Sequence, residues 1–301
     1  MKRVSSCPSG DLGDISHGSD KARAIETHRA DSLAADVYAE RFVRAAGVSS
    51  TWPTHPAQVP DGDSNPLWGR FARYFGLRTR VFDDFLVERA QAGTRQIVLL
   101  AAGLDTRAFR LDWPAGQVIY EIDRAGVLAF KHEVLEAVAA APTTTRHPIA
   151  ADLGADWAES LLRAGFDPTV PTAWLVEGVL FYLPAAVEQN LFETLDWLSV
   201  ESSRVLFEIK PGVESPEVRS SSIYAATEQQ LDIDLPDLFD HDLRPDSTGY
   251  LTERGWSTET RTPFDFAHLN SGLSPEPNDA LATNRWVFAR KLGRESVDQP
   301  A

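Results

Sequence analysis

The chain has 301 residues, 43 % of them hydrophobic and 24 % charged, a profile that suits one large α/β domain with a core big enough to hold a cleft. Its formal charge of −15 argues against a broad nucleic-acid-binding face, and its single cysteine, Cys7, excludes a disulfide within the chain and suits a reducing compartment. No apolar run reaches the roughly 18 residues of a membrane span, and Lys2 and Arg3 are not followed by the apolar stretch of a signal peptide, so a cytoplasmic enzyme is expected.

Residues 1–19 are rich in Ser, Gly and Asp without a period, which predicts a disordered leader. From Asp20 to Ala46 apolar residues such as Ile25, Leu33, Val37 and Phe42 recur at spacings of three and four, which predicts helix, and Gly47 stops it. A Pro-rich loop (48–63) precedes a second helical region, Leu67–Ala92, which carries Trp68, Phe71, Tyr74, Phe75, Phe82 and Phe85. These aromatics suit core or lid packing, with some available to line a pocket. Residues 20–92 are therefore expected to form an N-terminal helical lid.

From Gln96 the chain alternates strand and helix, the pattern of βαβ units and a parallel sheet. Strands are expected at Gln96–Ala101, Gln117–Ile122, Arg146–Ala150, Ala173–Val176 and Arg204–Ile209, with helices at Ala125–Ala141, Ala155–Ala164 and Ala185–Leu198 between the later ones. Residues 211–246 break the rhythm and read as an insertion, with a helical patch at Ile223–Leu231. A short helix (Tyr250–Gly255), two last strands (Trp256–Thr262 and Arg285–Leu292) joined by a long loop, and a polar tail (294–301) complete a domain placed at 93–293.

Candidate site residues cluster at the ends of the predicted strands. Ala101-Ala102-Gly103 closes the first strand with one glycine, where a dinucleotide fingerprint would have three. Taken alone, it suits a ligand's close approach or a plain turn. At the end of the second strand, Glu121 and Asp123 share a face. Asp123 lies nearer the edge where open α/β sheets bind ligands and is the better ribose acceptor, while Glu121 suits an ion pair with Arg107 or Arg110. Asp152-Leu153 follows the third strand and reads either as a purine clamp or as a helix cap. Glu177 ends the apolar fourth strand and needs a cation, from a cofactor or from an arginine of the second helical region. Arg70, Arg73, Arg78 and Arg80 precede the first strand, and most suit ion pairs with Asp83 and Asp84, leaving one for a carboxylate ligand. The histidines have no metal-ligand spacing, and neither a P-loop nor a G-x-S-x-G elbow is present.

Together, QIVLLAAGLDTRAFRLDWP, VIYEID, ADL and WLVEGVLFYL resemble the bacterial branch of the leucine carboxyl methyltransferase family, which includes S-adenosylmethionine-dependent methyltransferases of actinobacteria and polyketide O-methyltransferases. The likeness spans about residues 20–210. It implies a class I methyltransferase (Rossmann-like) fold, an α/β seven-stranded sheet with the last strand antiparallel. It implies S-adenosyl-L-methionine as cofactor, with Asp123 on the ribose, Asp152 and Leu153 on the adenine, and Glu177 with Ala101–Gly103 at the methionine end. Arg73, in FARYFG, is the match for the arginine that meets the methionine carboxylate, and Arg78 is the fallback. Eukaryotic relatives carry glycine where this chain has Ala101, whose methyl group is expected to crowd the site.

The expected reaction is O-methylation of a carboxylate or hydroxyl on a small molecule such as a polyketide. A carboxylate needs no general base near neutral pH, whereas a phenol, with a pKa of about 10, would need one. The acceptor is left open among a polyketide acid, a fatty or mycolic-type acid and a protein terminus. The competing readings are an NAD-dependent oxidoreductase and a non-catalytic cofactor-binding module of the same fold.

Overall fold

The computed structural model describes residues 11–47, 52–212, 215–269 and 271–293. Seven strands form one sheet: β1 (Gln96–Leu100), β2 (Val118–Asp123), β3 (Thr145–Ala150), β4 (Thr172–Val176), β5 (Arg204–Ile209), β6 (Trp256–Arg261) and β7 (Arg285–Lys291). Their order is β3-β2-β1-β4-β5-β7-β6. The pairings from β3 to β5 are parallel, and β7 runs antiparallel to both β5 and β6. The order reverses direction between β1 and β4, which makes their carboxyl ends a switch point where ligands bind in such sheets.

The strands between β1 and β5 are apolar because both faces are covered. Along β1, Ile97 and Leu99 join one core while Val98 and Leu100 join the other. The first core is closed by the N-terminal helices α1 (Asp11–Thr27) and α2 (Ala39–Ala45), with α3 (Ala72–Gln91), through Ile25, Phe42, Leu77 and Phe82. The second is closed by α6 (Trp157–Arg163) and α7 (Ala185–Trp197), through Trp157, Leu161, Leu191 and Phe192. The remaining helices are α4 (Arg107–Arg110), α5 (Ala125–Ala137), α8 (Pro216–Arg219), α9 (Ser222–Leu231) and α10 (Ser247–Glu253).

Several expected boundaries shift. Helix begins at Asp11, inside the segment expected as a leader through residue 19, while residues 1–10 and 294–301 lie outside the described residues. The helix expected across Asp20–Ala46 is two helices, because residues 28–38 leave helical geometry and the Asp36 amide instead meets the Thr27 hydroxyl at 2.8 Å. Between the loop and α3, residues Pro66–Phe71 form one wide π turn, capped by the Asn65 side chain on the amides of Leu67 and Trp68. The long loop before β7 is partly ordered as 3-10 turns at Pro263–Leu269 and Ala280–Thr283. No helix among the described residues is long and apolar enough to cross a membrane.

Candidate active site

A cavity of ≈ 370 Å³ lies at the carboxyl ends of β1 to β5. The turn after β1 reaches it first. Ala101 has a left-handed φ of 53° and so ends the strand one residue earlier than its apolar run suggests. Gly103, also left-handed, turns its amide toward the end of β2, where it donates to Asp123 Oδ2 at 2.6 Å. The Arg124 amide donates to the other oxygen at 2.7 Å. Burial raises the Asp123 pKa, and the two amide hydrogen bonds offset only part of that rise.

The other acid of β2 has a different role. Glu121 is fully buried on the same face and pairs with Lys131 and Arg146, both at 2.7 Å. The arginines expected for it, Arg107 and Arg110, hold Asp83 instead, at 2.7 and 2.6 Å.

After β3, Asp152 and Leu153 both line the cavity, with Leu153 buried and Asp152 exposed. The Asp152 carboxylate accepts from the Gly154 amide at 2.7 Å. The cap of α6 is Asp156, whose side chain accepts from the Glu159 amide, so Asp152 does not serve that helix.

Glu177, one residue past β4, is the centre of a charge network. Arg78 approaches it at 3.0 Å and Arg107 at 2.8 Å. Burial pushes the Glu177 pKa up, and the two guanidinium groups outweigh it and hold the carboxyl below its usual range. Arg78 continues to Glu208 at 2.8 Å, and Glu208 accepts from the Tyr74 hydroxyl. Arg107 also pairs with Asp83 and Asp105. Opposite charges therefore alternate from Arg110 through Asp83, Arg107, Glu177 and Arg78 to Glu208, which is how six charged side chains tolerate low exposure. Gly178 makes room for this: it is left-handed (φ 63°), and a Cβ there would stand 3.2 Å from Arg78 Nη1.

The structure thus brings Ala101, Gly103, Asp123, Asp152, Leu153 and Glu177 to one cavity. Arg73 does not join them. It donates to Glu26 at 2.8 Å and to the Ser271 carbonyl at 2.8 Å, on a face of α3 turned to α1, while the fallback, Arg78, lines the cavity. Of the arginine cluster, only Arg80 pairs with Asp84 as expected, and Arg70 reaches Asp279. Sequence reasoning alone does not place Asp83, Asp105, Arg107 or Glu208 in this charge network. The rule that singled out Glu177, an acid at the end of an apolar strand, applies equally to Glu208 in VLFEIK.

The relationship of this site to known proteins follows its sequence. Residues 18–196 match the family model "Leucine carboxyl methyltransferase". A protein of Streptomyces coelicolor, named "Putative S-adenosyl-L-methionine-dependent methyltransferase", is 57 % identical over 89 % of each chain. The chain belongs to the leucine carboxyl methyltransferase family. A relative of the same name from Saccharopolyspora erythraea is 43 % identical over 90 % of this chain and 92 % of its own. The crystal structure of a "putative methyltransferase" from Thermobifida fusca covers 93 % of this chain and 95 % of its own at a TM-score of 0.52 and 12 % identity, a likeness of fold. The sheet has the seven strands and antiparallel β7 expected of a class I methyltransferase. The family does not favour an NAD-dependent oxidoreductase, in keeping with the single glycine of the β1 turn.

The donor set fits the cofactor of this family. Across the strand ends lie the apolar Leu153 after β3, the Asp123 carboxylate at β2 and the Glu177 carboxylate after β4, with the Arg78 guanidinium reaching Glu177 from α3; these groups match in kind the adenine, ribose, sulfonium with ammonium, and carboxylate of the donor.

Proposed function

We propose that the protein methylates an oxygen, of a carboxylate or a hydroxyl, on a small molecule such as a polyketide, with S-adenosyl-L-methionine as the methyl donor. Methyl transfer from this donor is the activity that goes with the family. The observation that carries the reading is the convergence of Asp123, Asp152 and Glu177, from the carboxyl ends of β2, β3 and β4, on one cavity that continues into an apolar chamber.

In this reading Asp123 would accept from the ribose hydroxyls, Asp152 and Leu153 would hold the adenine, and Glu177 with the Ala101–Gly103 turn would face the methionine end. Arg78 replaces Arg73 as the residue for the methionine carboxylate. When bound, the donor supplies an electrophilic methyl group. The chain supplies orientation and a dry surround. Phe71, Phe75, Phe181, Tyr182, Leu231 and Phe239 line the chamber beside Glu177. Excluding water there strengthens each polar contact made by the acceptor and protects alignment. A carboxylate acceptor needs no proton removed. The N-terminal helices and α9 both contribute wall residues, Ala22 and Ile223 among them, and would act as the lid.

Calorimetry with S-adenosyl-L-methionine and S-adenosylhomocysteine tests the donor, and mass spectrometry of a panel of acids and phenols tests the acceptor. Binding in the micromolar range and a mass gain of one methylene on an acid or phenol are expected. Absence of binding by both ligands would refute the enzyme reading; binding without transfer to any acceptor would favour the non-catalytic module.

A further inference from the structure

Lys210 directly follows β5 and lines the chamber on the same sheet edge as Glu177. Its nitrogen donates to the Ala280 carbonyl at 3.0 Å and to Asn284 Oδ1 at 3.2 Å. Both acceptors are uncharged, and both belong to cavity-lining residues. An ammonium has three N–H donors, so these two bonds leave one.

The other cations deep in the cavity wall already have carboxylate partners, and Arg78 is the one assigned to the donor. Arg78 lies between Glu177 and Glu208, and Arg23 between Asp20 and Asp36. The two acids that act on Lys210 from a distance are themselves engaged: Glu208 by Arg78 and Tyr74, Asp279 by Arg70 at 2.6 Å. Among the described residues, Lys210 has no ion-pair partner within contact distance. Burial lowers its pKa to about 8, against the pull of Glu208 and Asp279. Near neutral pH it is therefore still largely an ammonium, held in a chamber whose other walls are Phe181, Tyr182, Tyr224, Leu231 and Phe239. The Tyr224 ring centroid stands 5.5 Å from the Lys210 nitrogen and adds a weak cation–π contact. Lys210 is half-buried, and a charge so placed without a counterion is destabilising, a cost relieved when a ligand supplies the anion.

We infer that Lys210 binds the carboxylate of the methyl acceptor, and that the acceptor is an apolar carboxylic acid. The assignment rests on the O-methyltransferase reading and narrows it from carboxylate or hydroxyl to carboxylate. The ammonium anchors one end of the acceptor, and the aromatic chamber holds the rest. Asn284 and Ala280 fix the direction in which the ammonium points.

The test is calorimetric and needs no turnover. Protein saturated with S-adenosylhomocysteine is titrated with 2-naphthoate, 2-naphthamide and 2-naphthol. The wild type should bind the acid at least tenfold more tightly than the amide or the naphthol. In Lys210→Gln this preference should fall below twofold, with the S-adenosylhomocysteine Kd within threefold of the wild type, and Lys210→Arg should keep most of it. An acid without preference or without detectable binding in the wild type, a preference that survives in Lys210→Gln, or a naphthol bound most tightly would overturn the inference. The wild-type comparison stands even if a variant fails to fold. A protein that binds no S-adenosylhomocysteine overturns the methyltransferase reading and this inference with it; one that binds it but shows no acid preference overturns the Lys210 assignment alone.

Discussion

The Asp123 carboxylate accepts the Gly103 amide at 2.6 Å, across the gap between the β1 turn and the end of β2. The glycine turn and the acid, 20 residues apart, are thus one structural unit, and the acid is oriented before any ligand arrives. One oxygen faces the turn and the other the Arg124 amide, so the carboxylate cannot rotate freely.

Asp123→Ala should therefore weaken S-adenosylhomocysteine binding by roughly 10- to 100-fold, the range for lost hydrogen bonds to a charged group. Asp123→Asn, which keeps an acceptor oxygen for Gly103, should lose less. Calorimetry checks both, and equal affinity in the alanine variant and the wild type would remove Asp123 from the site.

Ala101 sits at φ 53°, where a Cβ costs about 1–2 kcal/mol and glycine costs none. Glycine loses about 0.4–1 kcal/mol through the greater freedom of the unfolded chain. Ala101→Gly should thus be neutral to stabilising by about 1 kcal/mol, and removing the methyl from the cavity wall should not weaken the cofactor. Thermal denaturation with and without S-adenosylhomocysteine measures both, and a clear fall in Tm contradicts the strain argument.

Arg73 and Arg78 should separate. Arg73→Ala leaves Glu26 buried without its guanidinium, a change worth about 3–5 kcal/mol when a buried pair is broken, so the Tm should drop while cofactor affinity changes little. Arg78→Lys keeps a charge but loses the fork that spans Glu177 and Glu208, so cofactor affinity should drop as well. A large loss of affinity in Arg73→Ala at unchanged Tm would return Arg73 to the cofactor site.

Stability should fall as pH rises from about 4 to about 7. Asp20 is fully buried, and burial lifts its pKa from 3.8 to about 7 despite Arg23. The folded state then holds this proton more tightly than the unfolded state, so stability is complete below the unfolded value and declines through the folded one, by at most about 4 kcal/mol. Glu26, Asp123 and Glu188 shift the same way, while Glu177 and Asp105 shift oppositely and act only in the acid range. Asp20→Asn should flatten the decline. Urea denaturation at pH 4.5, 6 and 7.5 reads it, and an unchanged slope in the variant contradicts the assignment to Asp20.

The strands, their order along the chain and the acids that end them were readable in the sequence because they depend on local pattern. An apolar run that stops at an acid marks a strand's carboxyl end, and parallel strands place those ends on one edge. Asp123, Asp152 and Glu177 reach the cavity for that reason alone. The fate of Glu121 follows from the same strand, since its position one pleat deeper buries it beneath α5, where Lys131 meets it.

What the sequence left open is decided by packing between distant segments. Arg73 and Arg78 lie five residues apart, about 140° around a helix, so one can face the cavity only if the other faces away. Which of them does so depends on where Glu26 of α1 and Glu208 of β5 come to rest, and no local pattern contains that. The pair Lys210 and Asn284 is separated by 74 residues and joined only when the turn before β7 folds back over the strand ends. The sequence by itself determined the fold and the acids at the strand ends, because periodicity and strand ends are local; which arginine faces the cavity and where Lys210 comes to rest were set by tertiary structure, because charge pairing depends on contacts that local pattern does not encode.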